Sequence, residues 1–396
     1  MKVVQINSTC GTGSIGKICV SISQLLTRNN IENYVLYTQG NSNYPLGIKY
    51  SNETYKKIQA LKSRVFGNNG LNSYFATKNL IKHLEIINPD IIHIHNIHSH
   101  DCNLKILFNY LRSKQKKVYW TFHDCWAFTA NCPYFDLVKC DQWKKECKKC
   151  PQIKKTSWFF DRSKALYRIK REAFSDINLT IITPSRWLKS LVQESFLKNY
   201  PVEVINNGID LNLFKPTESD FRKKYTCEDK KIVLGVALGW EKRKGIDVFI
   251  ELSNTLDSNI YQIVLVGTND EVDKLLPKNI ISIHRTQNQI ELSEIYTEAD
   301  LFVIPTREDN FPTVNIESLA CGTPVLTFNT GGSPEIIDET CGSVVKCDDT
   351  ESLEKEIIRI CNEHPYSSDS CIKRAEKFNM WDRFNDYIVL YNQNNC

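Results

Sequence analysis

Residues 6 to 22 read INSTCGTGSIGKICVSI. Gly11-Thr12-Gly13-Ser14-Ile15-Gly16 fits the G-x-G-x-x-G turn that brings backbone close to a pyrophosphate, and Gly11 through Lys17 fits all but the last position of the phosphate-cradling G-x-x-x-x-G-K-[ST]. Neither pattern is complete. Ile18 stands where a Ser or Thr hydroxyl must reach Mg²⁺, and the strand expected to end in a ribose-binding acid ends Tyr37-Thr38-Gln39-Gly40. What survives is a strand, a small-residue turn and a helix N-terminus, an arrangement that suits a phosphate and equally suits tight strand-to-helix packing.

A second group lies at Thr306-Arg307-Glu308-Asp309-Asn310-Phe311-Pro312-Thr313-Val314-Asn315-Ile316-Glu317, after the apolar run Leu301 to Ile304. Pro312 suits the start of a helix, Gly322 its end, and Pro324 precludes its continuation. N–H groups near Thr313 and Val314 then form an anion site, and Glu317, one turn further in, can accept hydrogen bonds from two vicinal hydroxyls such as those of ribose. His93, His95, His98 and His100 crowd another strand end, which reads either as a metal set or as a polar rim. Cys132-x7-Cys140-x6-Cys147-x2-Cys150, with Cys125 nearby, reads either as a structural Zn²⁺ site or as four reduced cysteines packed singly.

Elements must position these groups. Apolar runs of four to seven residues recur at Val3, Tyr34, Ile91, Val118 and Thr180, and again at Ile232, Tyr261, Ile281, Leu301 and Pro324, with helical stretches between them. Such alternation specifies parallel sheets covered on both faces. The pattern occurs twice, separated by the turn-rich Asn206-Asn207-Gly208-Ile209-Asp210. The expected fold class is α/β, with two doubly wound Rossmann-like domains facing across a cleft: 1–205 with a Cys/Lys-rich insertion at 125–155, 206–378, and a closing helix 379–396 returning to the first domain. At 396 residues, with 41% hydrophobic and 24% charged, the chain has room for two cores.

In order along the chain, these motifs resemble the retaining glycosyltransferases of family 4, with the GT-B fold, and especially the bacterial exopolysaccharide and colanic-acid-type branch. The family's acidic pair E-x7-E maps to Asp309 and Glu317, with an Asp in the first place; Glu308 beside it is the alternative for meeting the donor sugar. Gly322-Thr323-Pro324-Val325 and Gly331-Gly332-Ser333-Pro334-Glu335 match as well. Gly239-Trp240-Glu241-Lys242-Arg243-Lys244-Gly245 resembles the loop whose Lys, here Lys244, neutralises the donor diphosphate. The usual Arg falls on Gly239, and Arg243 is inferred to substitute. Asn207-Gly208-Ile209-Asp210 resembles the interdomain signature, Trp381 to Tyr391 the crossing helix, and Thr121-Phe122-His123-Asp124 the segment whose His reaches the donor sugar.

The resemblance implies a catalytic set of His123 with Asp309 or Glu308. It implies a donor-binding set of Gly13, Gly16, Arg243, Lys244, Phe311, Pro312, Thr313, Val314 and Glu317. The expected reaction moves a hexose from a nucleoside-diphosphate sugar, UDP before GDP, to a lipid-linked oligosaccharide or polysaccharide precursor. Two cations and a helix N-terminus can stabilise the leaving diphosphate, so no cofactor is required for catalysis and only the structural Zn²⁺ is in question. Without an assured nucleophile, front-face substitution is the expected course.

No apolar run is long enough for a membrane span or a signal peptide, which suggests a cytoplasmic protein with reduced thiols. The net charge of +4 is too small to imply nucleic acid. Seven Lys against two acids between Lys139 and Lys155 nevertheless form a basic face, expected to touch anionic lipid at the inner side of the cytoplasmic membrane. Three rivals remain: a GT-B sugar-nucleotide epimerase, a nucleic-acid zinc module built on Trp126 and Trp143, and a degenerate nucleotide-sugar-binding scaffold.

Overall fold

A computed structural model describes residues 1–98 and 100–393. The chain divides into two compact units, Met1–Ile205 with the stretch from Phe384 onward, and Asn206–Arg383.

The first unit is built on β1 (Lys2–Ile6), β2 (Glu32–Tyr37), β3 (Gly47–Lys49), β4 (Ile91–Ile94), β5 (Lys117–Thr121), β6 (Leu179–Thr183) and β7 (Val202–Val204). They form one seven-stranded sheet in the order β3-β2-β1-β4-β5-β6-β7, with every recorded pair parallel. The second unit carries β8 (Lys231–Val236), β9 (Tyr261–Val266), β10 (Ile280–Ile283), β11 (Leu301–Ile304), β12 (Val325–Phe328) and β13 (Gly342–Val345), in the order β10-β9-β8-β11-β12-β13, again parallel. Central strands are buried along their whole length, as in β6 and β11. Helices cover both faces of such a sheet, and each Val, Leu or Ile taken fully out of water contributes about 1.5–3 kcal/mol.

Three strands have no counterpart among the expected apolar runs: β3, β7 and β13. All three are sheet edges of three or four residues with partly exposed side chains. An edge strand buries too little to need a continuous apolar sequence.

The two topologies place the chemistry. Each sheet reverses its winding next to its first strand, between β1 and β4 in one unit and between β8 and β11 in the other. At such a switch point the loops leaving the two strands diverge to opposite faces and open a crevice beyond the carboxyl ends. The register Ile6 to Ile94 brings the glycine loop after β1 beside the histidines after β4. The register Phe302 to Leu234 brings the Thr306–Val314 loop beside Gly239–Lys244.

Residues 125–156 contain little regular structure, only 3-10 turns at Trp126–Phe128 and Gln142–Lys144 and a short helix at Ile153–Thr156. The closing helix, Met380–Gln393, begins in the second unit and ends in the first. There the Tyr391 hydroxyl lies 2.6 Å from His93 Nδ1, and the Tyr119 hydroxyl donates to the Leu390 carbonyl at 3.0 Å. Among the described residues no helix is long and apolar enough to cross a membrane.

Candidate functional site

In the second unit, β8 ends in a loop that turns through the 3-10 segment Lys242–Lys244. Lys244 Nζ lies 2.5 Å from Asp309 Oδ2, and Arg243 Nη1 donates to the Glu308 carbonyl at 3.0 Å. The two cations expected to hold a diphosphate therefore sit directly against the acidic loop after β11. Arg307 fastens the loops together: its N–H donates to the Arg243 carbonyl at 2.9 Å, and its guanidinium takes the Lys242 carbonyl and both oxygens of Asp247. Sequence reasoning assigned Arg307 no task, although its place beside Glu308 was the available signal.

Glu308 is only 2% exposed, whereas Asp309 Oδ1 accepts from the Asn310 N–H at 2.9 Å while Oδ2 faces Lys244. Asp309 thus shares a charge pair with Lys244 of the basic loop. Gly331 closes the arrangement from β12: a Cβ there would fall 1.7 Å from the Asp309 carbonyl oxygen, and its φ of +56° is one that favours glycine.

The next helix runs Thr313–Ala320 with Pro312 as N-cap, and no side chain caps it. The first N–H groups of a helix have no partner within it, so those of Thr313 and Val314 carry the positive end of the helix dipole. Phe311 is buried, and its carbonyl accepts from the Asn207 side chain at 3.3 Å. Glu317 Oε2 accepts from the Tyr296 hydroxyl at 3.3 Å. Burial first, and then the Glu317 charge, push the Tyr296 phenol well above its usual range, so it stays protonated as a donor to that carboxylate. Asn315 Nδ2 donates to Ser333 Oγ at 2.8 Å, joining this helix to the Gly331–Glu335 loop.

In the first unit, the helix Gly13–Arg28 starts inside the glycine loop, and Thr12 is an N-cap without a side-chain bond. Gly16 serves close packing, since a Cβ there would meet Thr9 Oγ1 at 2.6 Å. The Gly11 N–H is taken by the Gly16 carbonyl at 3.0 Å. The donors left at this helix start are the first N–H groups, from Gly13 onward.

The histidines form a buried hydrogen-bonded set. Gln5 Nε2 donates to the Cys19 carbonyl at 2.9 Å, which orients its Oε1 toward His95 Nε2 at 3.1 Å. His95 Nε2 must therefore carry the proton, His95 Nδ1 is the acceptor, and His123 Nε2 at 3.2 Å is the donor. The chain of bonds leaves Nδ1 of His123 as its lone-pair nitrogen. Burial lowers His123 to about 4, with Asp124 opposing and His98 adding to the effect, and lowers His93 to about 3. Both rings are neutral near pH 7. His93 uses both nitrogens on hydroxyls, Thr121 Oγ1 at 2.8 Å and Tyr391, which favours the polar-rim reading over a metal set. His98 Nε2 lies 2.9 Å from Asp124 Oδ2, and His100 turns away to Ser63. His95, His98, His123, Asp124 and Trp126 line one pocket.

Cys132, Cys140, Cys147 and Cys150 line a second pocket in this unit, and Cys125 is buried apart from it.

Comparison with known proteins agrees with this layout. Residues 15–213 match the Glycosyltransferase Family 4 description, and residues 217–378 match Glycosyl transferases group 1. The putative colanic acid biosynthesis glycosyl transferase WcaC of Escherichia coli K12 is 22% identical over 367 residues, covering 87% of each chain. Among solved structures, a sucrose-phosphate synthase from Thermosynechococcus elongatus superposes with a TM-score of 0.72 at 17% identity, over 99% of this chain and 98% of its own. Anabaena Alr3699/HepE in complex with UDP-glucose gives 0.70 at 13% identity, over 99% and 100%. With two Rossmann-like units in GT-B topology and family descriptions matching along most of its length, the chain belongs to the family 4 glycosyltransferases.

Proposed function

We propose that this glycosyltransferase moves a hexose, with retention, from a UDP-sugar to a lipid-linked or polysaccharide-precursor acceptor in exopolysaccharide or O-antigen synthesis. The observation that carries the reading is the convergence, at one switch point, of Arg243, Lys244, the uncapped start of the Thr313 helix, Asp309 and Glu317. Cations and an oriented helix terminus stabilise the charge that develops on a departing diphosphate, and do so most in a transition state where that charge is largest. Glu317 is set to hold the ribose diol. His123, neutral and held by His95, is the side chain assigned to the donor sugar. The leaving phosphate takes the acceptor proton in a front-face substitution; a covalent sugar trapped on Asp309 or Glu308 sinks that course. UDP is favoured because the structurally similar Alr3699/HepE is described with UDP-glucose, and the acceptor class follows the name of the colanic acid relative.

The test is thermal stabilisation by UDP-, GDP-, ADP- and dTDP-sugars, repeated with Lys244→Ala and Glu317→Ala. A donor at a hundred times its Kd stabilises a single site by about 2.7 kcal/mol. A shift for one donor that both variants lose supports the reading. A shift without hydrolysis or transfer of the sugar favours the degenerate scaffold, and absence of a shift with every donor overturns the reading.

A further inference from the structure

Residues 125–156, directly after His123 and Asp124, hold four half-buried cysteines and almost no regular secondary structure. We propose that Cys132, Cys140, Cys147 and Cys150 bind one structural Zn²⁺ as a tetrathiolate.

The geometry is built at one edge. Zinc–thiolate bonds of about 2.3 Å in a tetrahedron put neighbouring sulfurs roughly 3.8 Å apart. Cys132 Sγ and Cys150 Sγ are 3.9 Å apart, on chain segments separated by 18 residues. Cys140 and Cys147 line the same pocket, and Cys147 and Cys150, with two residues between them, have the C-x-x-C spacing of a zinc knuckle. Among the described residues, the trio of ligand-type atoms within 4.8 Å of one another is Asp270, Asp273 and His284, an exposed surface group. The thiols are therefore closed at one edge and open at the others, and the metal must draw Cys140 and Cys147 inward.

Backbone and charge independently favour the ion. The N–H of Ala130 is directed to the Cys147 sulfur and that of Gln152 to the Cys150 sulfur, the kind of outer hydrogen bond that steadies metal-bound thiolates. Beneath the pocket lies Lys170, 1% exposed, whose Nζ donates to the carbonyls of Trp126 at 2.7 Å and Thr129 at 3.1 Å. Both acceptors are neutral, and burial pushes the Lys170 amine well below its usual range, because a buried ammonium is costly without counter-charge. Of the groups that act on it electrostatically, two are Cys147 and Cys132; a third, Asp124, is shared with His98 and the Trp126 N–H. Four thiolates around Zn²⁺ carry a net charge of −2, which offsets Lys170 from inside and the seven lysines of 139–155 from outside. Four neutral thiols offset neither.

The inference does not depend on the donor or acceptor of the transferase. The full chain is purified with reductant and without chelator, and its metal is quantified by mass spectrometry. One zinc per chain is expected, retained on dialysis and released by a thiol-mercaptide reagent. Exchange with Co²⁺ should give the intense visible bands of a tetrahedral tetrathiolate. Cys147→Ser and Cys150→Ser should lose the metal, while Cys102→Ser, at a buried cysteine elsewhere, should keep it. If the first two variants fail to fold, the cobalt spectrum of the unaltered chain still decides. Metal at trace level with four titratable thiols overturns the proposal, as does a disulfide joining Cys132 to Cys150 or a cobalt spectrum without sulfur ligation.

Discussion

Lys244 Nζ and Asp309 Oδ2 lie 2.5 Å apart, each side chain less than one-fifth exposed. A cation proposed to hold a diphosphate thus rests on an acid proposed to face the sugar, and the incoming phosphate must compete with that acid for the same ammonium. Lys244→Ala should weaken UDP binding by about tenfold or more, since a hydrogen bond to a charged group contributes about 1.5–3 kcal/mol. Asp309→Asn should bind UDP at least as well as the unaltered protein while losing turnover. Calorimetric titration separates the two, and unchanged affinity in Lys244→Ala would discard the diphosphate role.

The tautomer of His123 is inherited from Gln5 through His95. Gln5→Leu removes the acceptor that fixes the proton on His95 Nε2. Nitrogen NMR of the labelled protein should show His123 protonated on Nε2 in the unaltered chain and a mixture of tautomers in the variant. Turnover should fall severalfold with little change in nucleotide affinity. A single, unchanged tautomer would show that Gln5 does not set it.

Burial holds His93 at about 3 and His123 at about 4, below the ordinary 6.5. In the unfolded chain these rings take up protons first, so the folded state is favoured fully above about pH 6.5 and loses ground as pH falls toward 4. The unfolding free energy from urea titrations should drop steeply across that window, by about 1.4 kcal/mol per pH unit for each ring. His93→Asn should flatten the slope; an identical slope would assign the acid sensitivity to other groups.

Gly331→Ala and Gly13→Ala both force a side chain into positive φ, at +56° and +67°. Only the first also drives a Cβ into the Asp309 carbonyl, because Gly13 has open space around it. Gly13→Ala should cost about 1 kcal/mol of stability. Gly331→Ala should cost more and also depress activity at least tenfold by shifting the acidic loop. Equal melting temperatures for the two would contradict the clash.

Asp101 is fully buried and bonded to Lys56 at 2.8 Å, Ser8 at 2.6 Å and Thr38, tying the ends of β1 and β2 to the helix Glu53–Phe66. Burial alone would raise its carboxyl, but the Lys56 charge and these hydrogen bonds hold it below the usual range. Asp101→Asn strands a largely buried ammonium and should destabilise by about 3 kcal/mol or more in chemical denaturation. Lys56→Met with Asp101→Asn should recover part of that loss.

Apolar runs made ten strands legible because a strand buried on both faces has to be continuously apolar. The silent edges β3, β7 and β13 carry partly or fully exposed residues such as Gly47, Glu203 and Val344 and need no continuous apolar run. The glycine loops and the Pro312 helix start were readable from backbone chemistry, since φ and missing N–H groups are written in residue type. Pairings across the switch points were not. Nothing local to Lys244 points to Asp309, 65 residues on, and nothing local to His123 points to Gln5, because parallel register brings distant strand ends together. Arg307 was overlooked for a related reason, its value lying in carbonyls of a loop that sequence does not place beside it.

The closing helix changes the order in which the molecule can be completed. Tyr391 and Leu390 cap His93 and Tyr119 in the first unit, but along the chain they follow the whole of the second unit and so leave the ribosome after it. During synthesis the second unit has its whole sequence, up to Arg383, before the first receives its final cover. The first unit is therefore covered only after the second has been made, and a nascent chain stopped before Phe384 would expose the Tyr119 hydroxyl and the His93 imidazole that this helix keeps from water.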